Sequence, residues 1–151
     1  MTLLKAILVG GAAAGALDMS YAIAAYALRG VPAVSLLQSI ASGLYGRAAY
    51  DGGLAMAGIG LALHFAMTAV MAAGFVILAL IFPVLLRAPV LAGVIYGLGL
   101  FAIMNFIVVP LSAAYPGTQP QGWLLAGALF AHTALVGVPI ALAARHYLLA
   151  G

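Results

Sequence analysis

The sequence predicts an all-α fold: a polytopic membrane protein whose four transmembrane helices form one bundle, with a short interfacial helix after the first. Of the 151 residues, 68% are hydrophobic and 5% are charged, whereas soluble domains carry about 25% charged residues. Four stretches also reach the length of about 20 apolar residues that a transmembrane helix needs. Because so few charges cannot cover a globular surface, lipid is expected to surround most of the chain. We therefore treat residues 1–151 as a single transmembrane domain.

The four predicted spans are separated by glycine, proline and charged residues. They cover about 4–28, 54–84, 89–113 and 123–144. The second span is longer than one crossing needs and is expected to end near Pro83, because proline removes a helical hydrogen bond. Pro89 suits the first turn of the third span. Pro139 lies inside the fourth span, where it predicts a kink and a free carbonyl at Leu135.

The longest connection, between the first and second spans, contains a predicted interfacial helix at about 33–46. Apolar residues recur there at helical spacing, namely Val34, Leu37, Ile40, Ala41 and Leu44. Serine and glutamine residues and Arg47 form the polar complement, and a re-entrant segment is the alternative interpretation. The loop at 115–122 is rich in proline, glycine and glutamine and predicts an exposed turn.

The basic residues predict that both termini lie on the cytoplasmic side of the membrane. In a four-span topology Lys5, Arg87 and Arg145 fall on one side, and Arg29 and Arg47 fall on the other. Lys5 and the apolar run after it also resemble a signal peptide. The apolar character continues to the end of the first span, which favours a retained helix.

Several classes of function are excluded by composition. The chain has no cysteine, which excludes disulfides, thiolate metal sites and iron–sulfur clusters. The basic residues are scattered, so no nucleic-acid binding is expected. The expected partners are the lipid bilayer and, through faces rich in glycine and alanine, a second copy of the chain or a larger membrane complex.

A layer of polar residues is predicted near the centre of the membrane, with one residue from each span. Its members are Asp18, His64, Asn105 and His132, and at 1.5 Å per residue all four are expected within roughly 8 Å of the midplane. A charged group at this depth costs at least about 2.5 kcal/mol. Such residues usually face the bundle interior and pair with one another, so these four are the candidate site residues.

Two GxxxG spacings predict closely packed helix faces. Gly11 and Gly15 lie in the first span, and Gly93 and Gly97 lie in the third. Because glycine lets two helix backbones approach closely, each pair is expected to contact a neighbouring span.

The polar layer has a structural interpretation and a transport interpretation. In the first, hydrogen bonds among the four side chains hold the helices in register. In the second, Asp18 exchanges protons with a histidine, since histidine titrates near neutral pH. Ser20, Tyr21 and Thr68 would then extend the chain of proton donors and acceptors.

A cofactor site is a third interpretation. His64 and His132, on different helices at equal depth, could be the axial ligands of a b-type haem. Alternatively, His64, His132 and Asp18 could bind a transition metal such as iron, copper or zinc, with Met67 and Met71 as soft ligands. The chain lacks the H-E-x-x-H and Glu-x-x-His motifs that would favour a metal site.

A hydrolase is the fourth interpretation, with Ser20, His64 and Asp18 as a triad. No G-x-S-x-G motif surrounds any serine, and no residue is assigned a catalytic role. We therefore expect a transport-related or accessory-subunit role rather than catalysis.

Local patterns along most of the chain resemble those of a known group of proteins. The patterns are Leu37–Gly43, Leu63–Phe65, Tyr96-Gly97, Met104-Asn105, Val109–Ser112, His132 and Gly137–Pro139. Together they resemble a family of small, uncharacterised four-span bacterial inner-membrane proteins. The resemblance implies a four-span fold in the bacterial inner membrane, and it carries no catalytic assignment.

Overall fold

The computed structural model describes residues 2–114 and 120–149, which are almost entirely helical and contain no strand. In chain order the helices are α1 (Thr2–Ala27), α2 (Ala33–Tyr45), α3 (Gly53–Ile81), α4 (Pro89–Leu111) and α5 (Trp123–Leu149). All except α2 are long and apolar enough to cross a membrane, which suggests a multi-pass membrane protein. The all-α class predicted from the sequence is confirmed.

The helix ends differ from the predicted bounds at a few places. α3 ends at Ile81, and a short 3-10 turn at Pro83–Leu86 leads into α4. α5 continues past 144 to Leu149, because the exposed Arg145 and His146 are compatible with a helix and do not end it. α4 ends slightly before the predicted 113.

The connections are described in part. α2 occupies nearly the range predicted for the interfacial helix. Of the loop predicted over 115–122, residues 115–119 lie outside the described part of the chain.

α1 lies antiparallel between α3 and α5, and close contact of backbones holds it there. A Cβ built on Gly11 would lie 2.8 Å from the Cα of Ala69 in α3. At the adjacent residue, a Cβ built on Gly10 would lie 3.3 Å from the Cβ of Ala143 in α5. Because Gly10 and Gly11 carry no side chain, the backbone of α1 can lie this close to both α3 and α5.

α4 packs against α5 through the second GxxxG pair. A Cβ built on Gly97 would overlap the carbonyl of His132 and would lie 2.6 Å from the Cα of Thr133. Gly93 and Gly137 face each other in the same way one turn further along. Both GxxxG pairs therefore contact a neighbouring helix, as their spacing predicted.

α4 and α5 each contain a π-helical segment, at Met104–Val108 and Ala131–Gly137. Each segment ends two residues before a proline, Pro110 or Pro139. The residue just before each proline donates its N–H to the carbonyl five residues back. A proline lacks an N–H and its ring displaces the carbonyl of the preceding turn, and a wider π turn accommodates this displacement.

The apolar core fills the half of the bundle that contains the chain termini. Its largest fully buried side chains are Phe75 of α3 and Ile140 of α5, packed among alanines of α1, α3, α4 and α5. α3 and α4 meet there through Tyr96, whose hydroxyl donates to the carbonyl of Met71 at 2.7 Å. The Tyr96 ring packs edge-on against Phe75 at 5.2 Å between centroids.

α2 packs along the first turns of α3. Gly60 of α3 contacts the backbone of Leu37, and the side-chain amide of Gln38 donates to the carbonyl of Gly53 at 3.1 Å. The Ala113 N–H donates to the carbonyl of Gly43 at 2.9 Å and ties α2 to the end of α4. α2 thus covers the end of the bundle opposite the chain termini.

We expect Gly97→Ala to destabilise the protein, because the added methyl would overlap the backbone of α5. Overpacking of this kind costs about 1–3 kcal/mol, seen as a lower melting temperature in detergent. Gly99→Ala is the matched control, since nothing lies within 4 Å of its Cβ position. Equal melting temperatures for the two variants would contradict the described contact between α4 and α5.

Candidate functional site

A cavity of about 440 Å³ lies between the second half of α1 and the first half of α5, away from the apolar core. Its lining includes three of the four predicted site residues, Asp18, Asn105 and His132. Arg29, in the turn just after α1, and Trp123, at the start of α5, also line it. Asp18 lies about 14 Å from the end of α1 at Ala27, taking 1.5 Å per residue. The cavity therefore extends from the helix ends towards the middle of the bundle.

Asp18 and His64 form a pair between α1 and α3. The Nε2 atom of His64 lies 3.9 Å from Oδ2 of Asp18 and 3.0 Å from the carbonyl oxygen of Gly15. Because a carbonyl can only accept, this Nε2 carries the hydrogen. The two side chains are mostly covered, with 12% of His64 and 23% of Asp18 exposed.

His132 is held by its own helix. Its Nδ1 lies 2.9 Å from the carbonyl oxygen of Ala128, so Nδ1 carries the hydrogen, and in the neutral ring Nε2 keeps a lone pair. Phe101 of α4 packs edge-on against the ring at 5.5 Å between centroids. The position of the imidazole is thus fixed by one hydrogen bond and one aromatic neighbour, with Nε2 left as an acceptor.

Asn105 follows the same pattern in α4. Its side-chain amide donates to the carbonyl of Phe101 at 2.9 Å, and Thr133 of α5 donates to the carbonyl of Leu129 at 2.7 Å. The carbonyls of Phe101 and Ala128 also accept a backbone N–H, from Met104 and Ala131 respectively. Since a carbonyl oxygen has two lone pairs, it can accept the side-chain bond as well, and the polar side chain is thereby satisfied in an apolar environment.

Aromatic residues surround the outer part of the cavity. The Arg29 guanidinium carbon lies 5.7 Å from the centre of the Tyr26 ring and 5.9 Å from the centre of the Trp123 ring. Tyr21 packs edge-on against Phe130 at 5.6 Å between centroids. Two aromatic rings near the cavity entrance therefore already contact one cation of the chain itself.

The structure places the predicted supporting residues in different parts of the bundle. Tyr21 lines the cavity. Thr68 is buried against Gly15 and donates to the carbonyl of Phe65. Ser20 is exposed on the outside of α1, so it belongs to neither a proton chain nor a triad at this site.

Met67 and Met71 do not line the cavity. Met71 packs against the apolar core instead, and Met67 is half-buried along α3. Among the described residues no three His, Asp or Glu side chains lie close enough to hold a metal ion. The proposed trio of Asp18, His64 and His132 is therefore not gathered into a metal site.

The haem interpretation also lacks support from the geometry. His132 lines the cavity, whereas His64 lies on the α3 side of α1 with Nε2 directed at Gly15. A haem with two histidine ligands needs both rings to face one shared space. His64 is not among the residues that line the cavity, so the cavity does not bring the two rings together.

The residues of the cavity entrance were not predicted from the sequence. From the sequence, each of Tyr26, Arg29 and Trp123 could be interpreted only as a single residue at a membrane boundary. A signal was present, because Tyr21, Ala22, Ala25 and Arg29 recur at helical spacing after Asp18.

Comparison with known proteins gives no relative for this chain. No protein-family model matches the sequence, and no curated protein or solved structure matches it. The bacterial inner-membrane location implied by the resemblance therefore stays a prediction, and function has to be argued from the site alone.

We expect the cavity to be hydrated, which a single-cysteine test can measure because the chain has no cysteine of its own. Ala22→Cys places a thiol in the cavity wall, where water allows the reactive thiolate to form. Ser20→Cys and Ala24→Cys bracket it along α1 on the exposed outer face. In lipid vesicles a charged methanethiosulfonate should modify Ala22→Cys at least about tenfold faster than either control. Equal rates would show that the cavity is not filled with water.

Proposed function

We propose that this chain is a small transport protein of the bacterial inner membrane, in which Asp18 and His132 exchange protons with water in the cavity. α1, α3, α4 and α5 would be its four transmembrane helices. The observation that carries this proposal is the cavity itself, because it connects the helix ends with two ionisable side chains, Asp18 and His132, in the middle of the bundle.

The chemistry of the residues supports proton exchange. Histidine is the side chain whose charge changes near neutral pH, and the Nε2 lone pair of His132 is not used by its hydrogen bond to Ala128. Ionisable residues inside membrane segments commonly form proton relays. His64, whose Nε2 lies 3.9 Å from Oδ2 of Asp18 between α1 and α3, would be a second exchange partner.

A purely structural polar layer is less well supported by the hydrogen bonds. That interpretation needs side chains that join different helices. His64 does join α3 to α1 through Gly15, but the bond from His132 to Ala128 lies within a single helix. Asparagine and threonine could satisfy such carbonyls without the cost of an ionisable group.

The apolar core supports a pathway that is open to one side at a time. Phe75, Ile140 and the surrounding alanines close the half of the bundle beyond Asp18, while the cavity reaches the opposite helix ends. In the topology with cytoplasmic termini, the cavity would open to the periplasm. Transport would then require this core to loosen, either within one chain or in an oligomer or larger complex.

We expect Asp18→Asn to abolish proton flux, because an amide cannot bind and release a proton at neutral pH. The purified full chain is reconstituted in vesicles with a pH-sensitive dye inside, and flux is driven by a potassium potential with valinomycin. Flux through the wild type should exceed that of protein-free vesicles, and flux through Asp18→Asn should fall to that background.

Asp51→Asn is the matched control, because Asp51 is the only other acidic residue and is exposed in the connection before α3. This variant should keep wild-type flux, and circular dichroism should show equal helix content in both variants. Wild-type flux in a folded Asp18→Asn protein would reject the proposal.

A further inference from the structure

We propose that the cavity binds a protonated primary amine with a small apolar or aromatic body. This inference deepens the proposed function by naming the ligand class of the same site. It follows from the hydrogen-bonding character of the cavity floor, the placement of the acidic residues, the aromatic walls and the size of the space.

The polar groups at the cavity floor are mainly acceptors. The Nδ1 hydrogen of His132 is used on Ala128, so Nε2 is the acceptor nitrogen of the neutral ring. Asp18, when ionised, offers only acceptors. A primary ammonium has three N–H donors, and Asp18 on α1 and His132 on α5 offer it acceptors from two helices.

The charge at the floor also favours a cation. The chain has two acidic residues, and Asp18 is the one that lines the cavity. Arg29 carries the positive charge nearest the entrance, but it lies about three turns of α1 from Asp18 and is held against Tyr26 and Trp123. An anion at the floor would meet the carboxylate directly, whereas an ammonium would form a charge-assisted hydrogen bond with it.

The walls and the volume indicate an organic cation. Tyr21, Tyr26 and Trp123 contribute aromatic surface, and Ala22, Ala25, Gly127 and Ala128 leave the space open. Aromatic side chains suit the apolar or aromatic body of such a ligand, and pockets of about 300–1,000 Å³ hold small organic ligands. The cavity of about 440 Å³ falls within that range and is far larger than a bare sodium or potassium ion requires.

Trp123 provides a local signal for binding, because it is the only tryptophan of the chain and lines the cavity. The probe is phenethylammonium chloride, titrated into the purified full chain in detergent while tryptophan fluorescence is recorded. The neutral isostere 2-phenylethanol measures partitioning into detergent, and sodium and potassium chloride measure binding of simple cations.

Phenethylammonium should give a saturable change that 2-phenylethanol and the simple salts do not give. Asp18→Asn should weaken binding at least about tenfold, because the charge-assisted hydrogen bond is lost, while Asp51→Asn should bind like the wild type. Ala22→Leu fills the cavity without altering any charge and should also weaken binding. Ala24→Leu adds the same bulk on the exposed face of α1 and should have no effect.

An equal response to 2-phenylethanol, or unchanged binding by folded Asp18→Asn and Ala22→Leu proteins, would overturn the inference. The same fluorescence change with sodium or potassium chloride would overturn it in favour of a metal-ion site. If amine binding fails but proton flux still depends on Asp18, the ligand class is wrong and the proposed function stands. If the amine binds but Asp18→Asn keeps full flux, the proposed function is wrong and the ligand assignment stands.

Discussion

Direct contact between the backbones of α4 and α5 is the constraint on which the rest of this structure depends. Gly93 and Gly97 leave no side chain between the two helices, so the π-helical segment of α5 lies against α4 at the level of His132. This approach puts Phe101 beside the His132 ring and brings Asn105 to the cavity wall. A larger residue at either glycine would separate the helices and move the histidine.

The polar side chains at the two π turns find hydrogen-bond acceptors within their own helices. In an apolar environment an unpaired polar group costs several kcal/mol. Asn105, His132 and Thr133 each donate to a carbonyl four residues back in their own helix. For Thr133, this hydrogen bond is sufficient to explain why a polar side chain is present. For His132 it fixes which ring nitrogen carries the hydrogen, and so determines which nitrogen can exchange a proton.

Much of the fold could be predicted because it depends on length and apolar composition. The four long helices and α2 appear close to their predicted ranges, and the glycine spacings predicted the closest helix contacts. The residues predicted to support the site, such as Ser20 and Tyr21, were harder to place, because only their angular position around the helix decides whether they face the cavity. Ser20 lies about 200° around α1 from Asp18, whereas Tyr21 lies within about 60°, taking 3.6 residues per turn.

Other features could not be predicted because they depend on tertiary structure. The cavity entrance is formed by residues of two helices and a loop, and no single segment contains it. The π turns were also missed, although a Val-Pro pair follows each of them, at Val109-Pro110 and Val138-Pro139. Proline predicted a disturbed helix there, but not that the chain would respond by widening one turn.

The π turn in α5 has a consequence for how this helix can evolve. A π turn is equivalent to one residue inserted into an α-helix, and one residue corresponds to about 100° of rotation. The part of α5 before Ala131 and the part after Gly137 therefore present differently phased faces, one to the cavity and one to the apolar core. Deleting a single residue between them would restore a continuous α-helix, but it would also rotate every cavity-lining residue of α5 away from α1. The π turn thus allows one helix to face the cavity in its first part and the apolar core in its second part.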